Sequence, residues 1–193
     1  RTTTIGRNTT PRHEALPTAL QQALRRYTEA GGALLITGAY AISDLYDSAS
    51  AEDIAFAEEV LHTTYGGYDT LAQRAATPIT LSLKRRSSSC LIGEVVFNTE
   101  LNADIYAVDA AEVITPVGEG AHTILLYDSD TSAAVAYAGN HRVIVVGFPF
   151  ETIADGESRN RMMAKSLDYL LSKHKSAAER RNERERRKKS KKR

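Results

Sequence analysis

Tyr40, Ser43 and Asp44 follow directly on a run of small and apolar residues, in the stretch Gly31-Gly32-Ala33-Leu34-Leu35-Ile36-Thr37-Gly38-Ala39-Tyr40-Ala41-Ile42-Ser43-Asp44. A phenol, a hydroxyl and a carboxylate so close together are candidates to line a ligand pocket. Tyrosine also serves as a general acid–base when its pKa is lowered, but no Lys or Arg stands nearby in the sequence to lower it. Asp44 suits a blander role equally well, because Asx side chains cap local turns. A second carboxylate, Glu151, follows Phe148-Pro149-Phe150. It has the chemistry to bind a sugar hydroxyl or a cation, or, if buried, to accept hydrogen bonds from backbone amides of the neighbouring loop.

Other reactive residue types are poorly placed. His13, His62, His122, His141 and His174 show no H-x-H or H-x-x-x-H spacing, so the sequence offers no metal site and no cofactor motif. Cys90, the single cysteine, lies in Ser88-Ser89-Cys90-Leu91 without an elbow glycine or a nearby histidine, and reads as a small hydrophobic strand residue. With one cysteine there is no intramolecular disulfide. Gly118-Glu119-Gly120 lacks the Lys-Ser/Thr of a phosphate loop and reads as a hairpin turn.

Several elements must position these groups. Leu16, Leu20, Leu24 and Tyr27 form one apolar stripe, which predicts a helix from Pro17 or Thr18 to Glu29, with Gly31 just past its end. Ala33–Thr37 is apolar on both faces, as in a strand covered by helices on each side. Ser50 caps a second helix with Asp53 at its third position; Ile54, Ala57 and Leu61 make its buried line. Thr63–Asp69, with Gly66-Gly67, reads as a turn-rich loop. Short strand candidates follow at Ile79–Leu83, Leu91–Phe97, Ile105–Val108, Glu112–Val117, Thr123–Tyr127 and Ala133–Ala138, separated by the charged loop Lys84–Ser89 and other breaks. Val143–Val146 is a second fully apolar strand. A last helix over about 158–172 covers the sheet through Met163, Leu167, Leu170 and Leu171.

This order predicts a doubly wound α/β domain over 1–172 with a β-rich insertion at about 79–138. Such sheets begin with a βαβ half, whereas the first element here is a helix. Arg1–Arg12 therefore reads as the loop after strands that lie outside these residues. No apolar run approaches the ~20 residues of a membrane span. The net charge of +1 hides an asymmetry: 12 of the 25 Lys/Arg stand from Lys173 onward, leaving 1–172 with 13 basic against 21 acidic residues. The tail 173–193 reads as solvated, disordered or partly helical, with at most weak affinity for nucleic acid.

Gly38-Ala39-Tyr40-Ala41-Ile42 resembles the nucleophile elbow G-x-C-x-G of class I glutamine amidotransferases, and Val146-Gly147-Phe148-Pro149-Phe150-Glu151 resembles that family's late strand and H-P-E turn. The resemblance implies a flavodoxin-like fold. It also implies a degenerate triad: Tyr40 at the cysteine, Pro149 at the histidine, and only Glu151 retained. A phenol with a pKa near 10 and a proline supply neither nucleophile nor base. Over most of 16–172, the phrases G-G-A-L-L-I-T-G-A-Y, F-A-E-E-V-L-H and R-V-I-V-V-G-F-P-F-E-T-I are similar to amidotransferase-like domains of Bacteroidota surface proteins, some named xanthan lyase or found beside golvesin-like modules. That likeness implies a non-catalytic scaffold or binding module at the cell surface. Its partners would be the other domains of its parent protein, with carbohydrate as a possible ligand. The alternative is an enzyme of different chemistry, a lyase or hydrolase acting on polysaccharide through Tyr40 with Asp44 or Glu151.

Overall fold

The computed structural model describes residues 14–47, 50–69, 75–78, 94–98, 108 and 111–172. The expected strand Ile79–Leu83, the loop Lys84–Ser89, Cys90, the N-terminal loop Arg1–Arg12 and the tail 173–193 lie outside them, as does Ile105–Val108 apart from Val108.

The chain runs α1 (Thr18–Glu29), β1 (Ala33–Thr37), α2 (Ser43–Asp47), α3 (Ala51–Glu59), β2 (Thr63–Asp69), β3 (Ala75–Pro78), β4 (Val95–Val96), β5 (Ala111–Pro116), β6 (Ala121–Tyr127), β7 (Ser132–Ala138), β8 (Arg142–Val146), a 3-10 turn (Phe150–Thr152) and α4 (Gly156–Leu171). Six strands form one sheet in the order β1-β8-β7-β6-β3-β4; β2 and β5 form a separate two-stranded antiparallel sheet. This is an open mixed α/β arrangement. In the large sheet β1 runs parallel to β8, while the β8–β7, β7–β6, β6–β3 and β3–β4 pairings are antiparallel. β6 and β7, expected within an insertion, are therefore structural strands beside β8. Their alternating pattern reflects hairpin pairing.

Period-two alternation divides the core. Val143, Val145, Val135 and Tyr137 face a cluster with Leu34, Ile42, Leu45, Phe56 and Leu61, under α1, α2 and α3. Ile144, Val146, Ala134 and Ala136 face the opposite cluster with Phe97, Tyr127, Phe148, Met162 and Leu170, under α4. Successive strand side chains point to opposite faces, so β8, apolar from Val143 to Val146, serves both layers.

Three local expectations need correction. Thr63–Asp69 is a strand, β2, because Gly66-Gly67 forms a bulge within its pairing to β5 instead of ending it. In α1, Leu20 and Tyr27 are 42% and 52% exposed, while Gln21 and Thr28 are buried. The amide of Gln21 compensates for its burial by donating to the Leu16 carbonyl at 2.7 Å and to Asp53. In α4 the buried line is Ser158, Met162, Ser166, Tyr169 and Leu170, and Leu167 and Leu171 are exposed. The cap of α3 is as expected: Ser50 Oγ accepts the Asp53 N–H at 3.0 Å.

Candidate functional site

β1 and β8 run in parallel register from Ala33↔Arg142 to Thr37↔Val146. Equal register carries both chains off the sheet at the same end, where open α/β folds place their sites. The Phe150 N–H donates to Thr37 Oγ1 at 3.3 Å, tying the two strand ends together. The segments that hold Tyr40, Ser43 and Asp44 on one side and Pro149 and Glu151 on the other are thereby neighbours.

After Gly38 the backbone reverses sharply. Tyr40 takes a left-handed conformation, φ +62°, with no glycine to ease it; such a residue costs on the order of 1 kcal/mol and marks a turn held in place by its surroundings. The reversal aims three consecutive amides inward. Ala41 N–H donates to Glu112 Oε2 at 3.1 Å, Ile42 N–H to both carboxylate oxygens at 3.2 Å, and Ser43 N–H to Oε1 at 2.6 Å.

Glu112 is fully buried near the start of β5. Its main chain is fixed as firmly as its side chain: its N–H donates to the Gly147 carbonyl at 2.7 Å, and its own carbonyl accepts the Tyr127 hydroxyl at 3.0 Å. Gly147 must be a glycine here, because a Cβ would drive into the Glu112 carbonyl. Burial pushes the Glu112 carboxyl above its ordinary range, opposed by hydrogen bonds from Ser43, Ile42 and Ala41. Its partners are three backbone N–H dipoles, a cradle suited to negative charge without a cation.

The expected residues occupy distinct roles. Asp44 Oδ2 accepts the Ala15 N–H at 2.8 Å, pinning the lead-in to α1. Ser43 is buried, and its Oγ accepts the Tyr68 hydroxyl at 3.0 Å. Pro149 is buried, and its carbonyl accepts from Thr152 Oγ1 at 2.6 Å. Glu151 lies exposed on the 3-10 turn; the carboxylate on the elbow amides is Glu112 instead. A trace of Glu112 was present in the sequence, as an acidic residue between apolar neighbours in Ala111-Glu112-Val113-Ile114. Nothing in that spacing linked it to an elbow some 70 residues earlier.

Tyrosines from separate elements also converge here. The Tyr40 ring meets Tyr68 edge-on at 5.7 Å, Tyr68 meets Tyr65 edge-on at 5.5 Å, and Tyr65 meets Tyr46 at 6.2 Å. Tyr40 and Tyr68 are 46% and 39% exposed. Burial, then a hydrogen bond with Tyr68, raises the Tyr65 phenol well above its usual value, so that phenol stays protonated. Exposed rings fixed by edge-to-face packing and by the Tyr68–Ser43 bond form a rigid platform.

The scattered histidines converge in part, away from the elbow. The His62 ring stacks on Tyr137 and lies 5.4 Å from His141. His141 bonds the Val60 carbonyl through Nε2 and Asn140 through Nδ1, each at 2.9 Å. Burial, and secondarily His141, lower the His62 pKa to about 4. Among the described residues no group of three or more His, Cys, Asp or Glu is arranged to hold a metal ion, and no helix is long and apolar enough to cross a membrane.

Fold and site together describe an open mixed α/β protein with an elbow at the carboxyl end of an apolar strand. No protein-family model and no curated protein matches the chain. Among solved structures, it is similar to the exo-beta-1,4-mannosidase Op5Man5 from Opitutaceae bacterium strain TAV5, at 15% identity and a TM-score of 0.48. That likeness covers 81% of this chain and 24% of the mannosidase, so the chain spans about a quarter of that protein's length.

Proposed function

We propose that this chain is a non-catalytic module of class I glutamine amidotransferase-like, flavodoxin-related architecture, a scaffold and carbohydrate-binding part of a larger extracytoplasmic, polysaccharide-related protein. The carrying observation is the Glu112 carboxylate on the elbow amides. In an acyl-transfer elbow the N–H of the residue after the nucleophile stabilises the oxyanion. That residue here is Ala41, and its N–H is bound to a buried carboxylate of the protein itself. A developing oxyanion would meet a negative charge where it needs a donor. The elbow also presents a phenol in place of a thiol, and Pro149 in place of a base.

The binding role rests on the exposed rings of Tyr40 and Tyr68 at the same strand ends. Flat aromatic faces stack on the C–H faces of pyranose rings, and nearby carboxylates such as Glu151 can accept sugar hydroxyls. Acidic residues predominate in 1–172, which favours neutral over anionic polysaccharides.

Two measurements test this. Incubation with glutamine should yield no ammonia above the buffer rate, and Tyr40→Cys should not create turnover. Wild-type turnover lost in Tyr40→Phe would overturn the non-catalytic reading. In affinity electrophoresis through gels of neutral polysaccharide (galactomannan, xyloglucan, mixed-linkage glucan), retardation should fall in Tyr40→Ala and Tyr68→Ala. Unchanged mobility in all three gels would overturn the carbohydrate assignment. The polysaccharide-cleaving alternative draws support from the exposure of Tyr40; release of reducing ends or unsaturated products from those substrates would favour it.

A further inference from the structure

The tyrosines at the strand ends stand at steep angles to one another. The Tyr68 ring is inclined by 68° to Tyr40 and by 70° to Tyr65. Rings so inclined enclose a corner, and a group seated in it meets two π faces where a flat platform offers one. Tyr40 and Tyr68, which form the first of these corners, are both exposed.

Carboxylates surround the row. The Tyr46 hydroxyl donates to Glu58 Oε1 at 3.4 Å. Asp47 lies exposed at the end of α2, the short helix that carries Tyr46, and Glu112 is buried behind the elbow amides. Their field reaches the rings. After burial and the contacts with Tyr68, the charges of Glu112 and Asp47 push the Tyr65 phenol further up; burial and then Glu58 raise the Tyr46 phenol. The negative potential that opposes ionisation of these phenols attracts a cation. The guanidiniums of Arg25, Arg142, Arg159 and Arg161 are engaged elsewhere, with Glu59, the Tyr169 ring, and the Ile153 and Glu94 carbonyls.

We propose that the corner between Tyr40 and Tyr68 is a cation–π subsite for the protonated amino group of an amine-bearing sugar, a glucosamine-type unit of a polysaccharide. The inference rests on the carbohydrate reading above and narrows it. A pyranose stacks on one aromatic face, and the ammonium it carries enters the corner, drawn by the quadrupole of the second ring. Asp47 and Glu58 add a longer-range attraction that salt screens, whereas the contact with the rings is short-range and screened less. Acetylating the same amine removes its charge and leaves the sugar backbone unchanged, so the two forms of one polymer separate charge recognition from stacking.

The test is calorimetric titration of the 193-residue chain with short β-1,4-linked oligomers of glucosamine, of N-acetylglucosamine and of glucose. The glucosamine oligomer should bind about tenfold more tightly than the other two. Tyr40→Leu, which removes the ring without changing the charge, should erase that advantage. Asp47→Asn, at an exposed position, should reduce it by about two- to threefold. A glucosamine oligomer with trimethylated amines keeps its charge, loses every N–H donor there, and should keep the advantage. Three results would overturn the cation subsite and leave the carbohydrate platform standing. One is equal affinity for the three oligomers, weakened in Tyr40→Leu. Another is an advantage that survives in Tyr40→Leu, which assigns it to the acidic surface at large. The third is an advantage lost on trimethylation, which assigns it to hydrogen bonds with carboxylates. Binding of none of the oligomers would remove the carbohydrate reading itself, and this inference with it.

Discussion

The backbone N–H of Ser43 donates to the Glu112 carboxylate at 2.6 Å, across 69 residues of sequence. One side chain from β5 thereby organises the turn that follows β1 and joins the small sheet to the large one. Burying a carboxylate is tolerable here because a nest of amides replaces the lost water.

Removing that carboxylate should leave three inward amides unsatisfied. Glu112→Ala is expected to lower unfolding stability by roughly 2–4 kcal/mol, and Glu112→Gln, which keeps one acceptor oxygen, by about half as much. Urea denaturation at neutral pH measures both. A loss below about 0.5 kcal/mol in the alanine variant would show that the nest is satisfied in some other way.

Gly147→Ala should be about as damaging, near 2–4 kcal/mol, since its Cβ must displace the Glu112 carbonyl. The backbone there ends β8, where adjustment also disturbs the Phe148 packing. Near-native thermal stability in this variant would contradict the close approach of the two chains.

The pH dependence of stability has two opposed components. The folded Glu112 pKa is raised, so its contribution is present below the ordinary carboxyl range and is lost as pH rises through the folded value. The folded His62 pKa is lowered from 6.5 to about 4; its contribution is present above 6.5 and is lost as pH falls towards 4. Urea midpoints between pH 4 and 8 should therefore fall less on acidification in His62→Asn, which suits the left-handed backbone at 62. They should fall more in Glu112→Gln. Identical slopes in wild type and both variants would refute these assignments.

Tyr68 offers a way to separate ring from hydroxyl. Tyr68→Phe removes the bond to Ser43 Oγ and should cost about 0.5–1.5 kcal/mol while retaining most polysaccharide retardation. Tyr68→Ala should abolish the retardation. Equal binding loss in the two variants would mean that the hydroxyl, not the ring face, carries recognition.

Local pattern made the main elements legible. The spans of α1 and α3, the Ser50 cap of α3, the apolar strands β1 and Val143–Val146 and the turn at Gly118-Glu119-Gly120 all appear in the structure. The pattern was less informative wherever partners decide the outcome. Gly66-Gly67 reads as a turn until β5 supplies a strand to bulge against, and Leu20 and Leu167 read as core although the packed helices leave them 42% and 44% exposed.

The sequence by itself determined the alternation and helical periods that build two layers around β8, and the residue types, Tyr40 and Pro149 among them, that follow the two apolar strands. Those are properties of neighbouring residues, and short-range order encodes them directly. Only the tertiary structure decided that Glu112 occupies the elbow amides, that four tyrosines form one row, and that β1 pairs in parallel with β8. Each of these depends on long-range register, where one strand's placement determines which distant groups meet, and no local spacing carries that information.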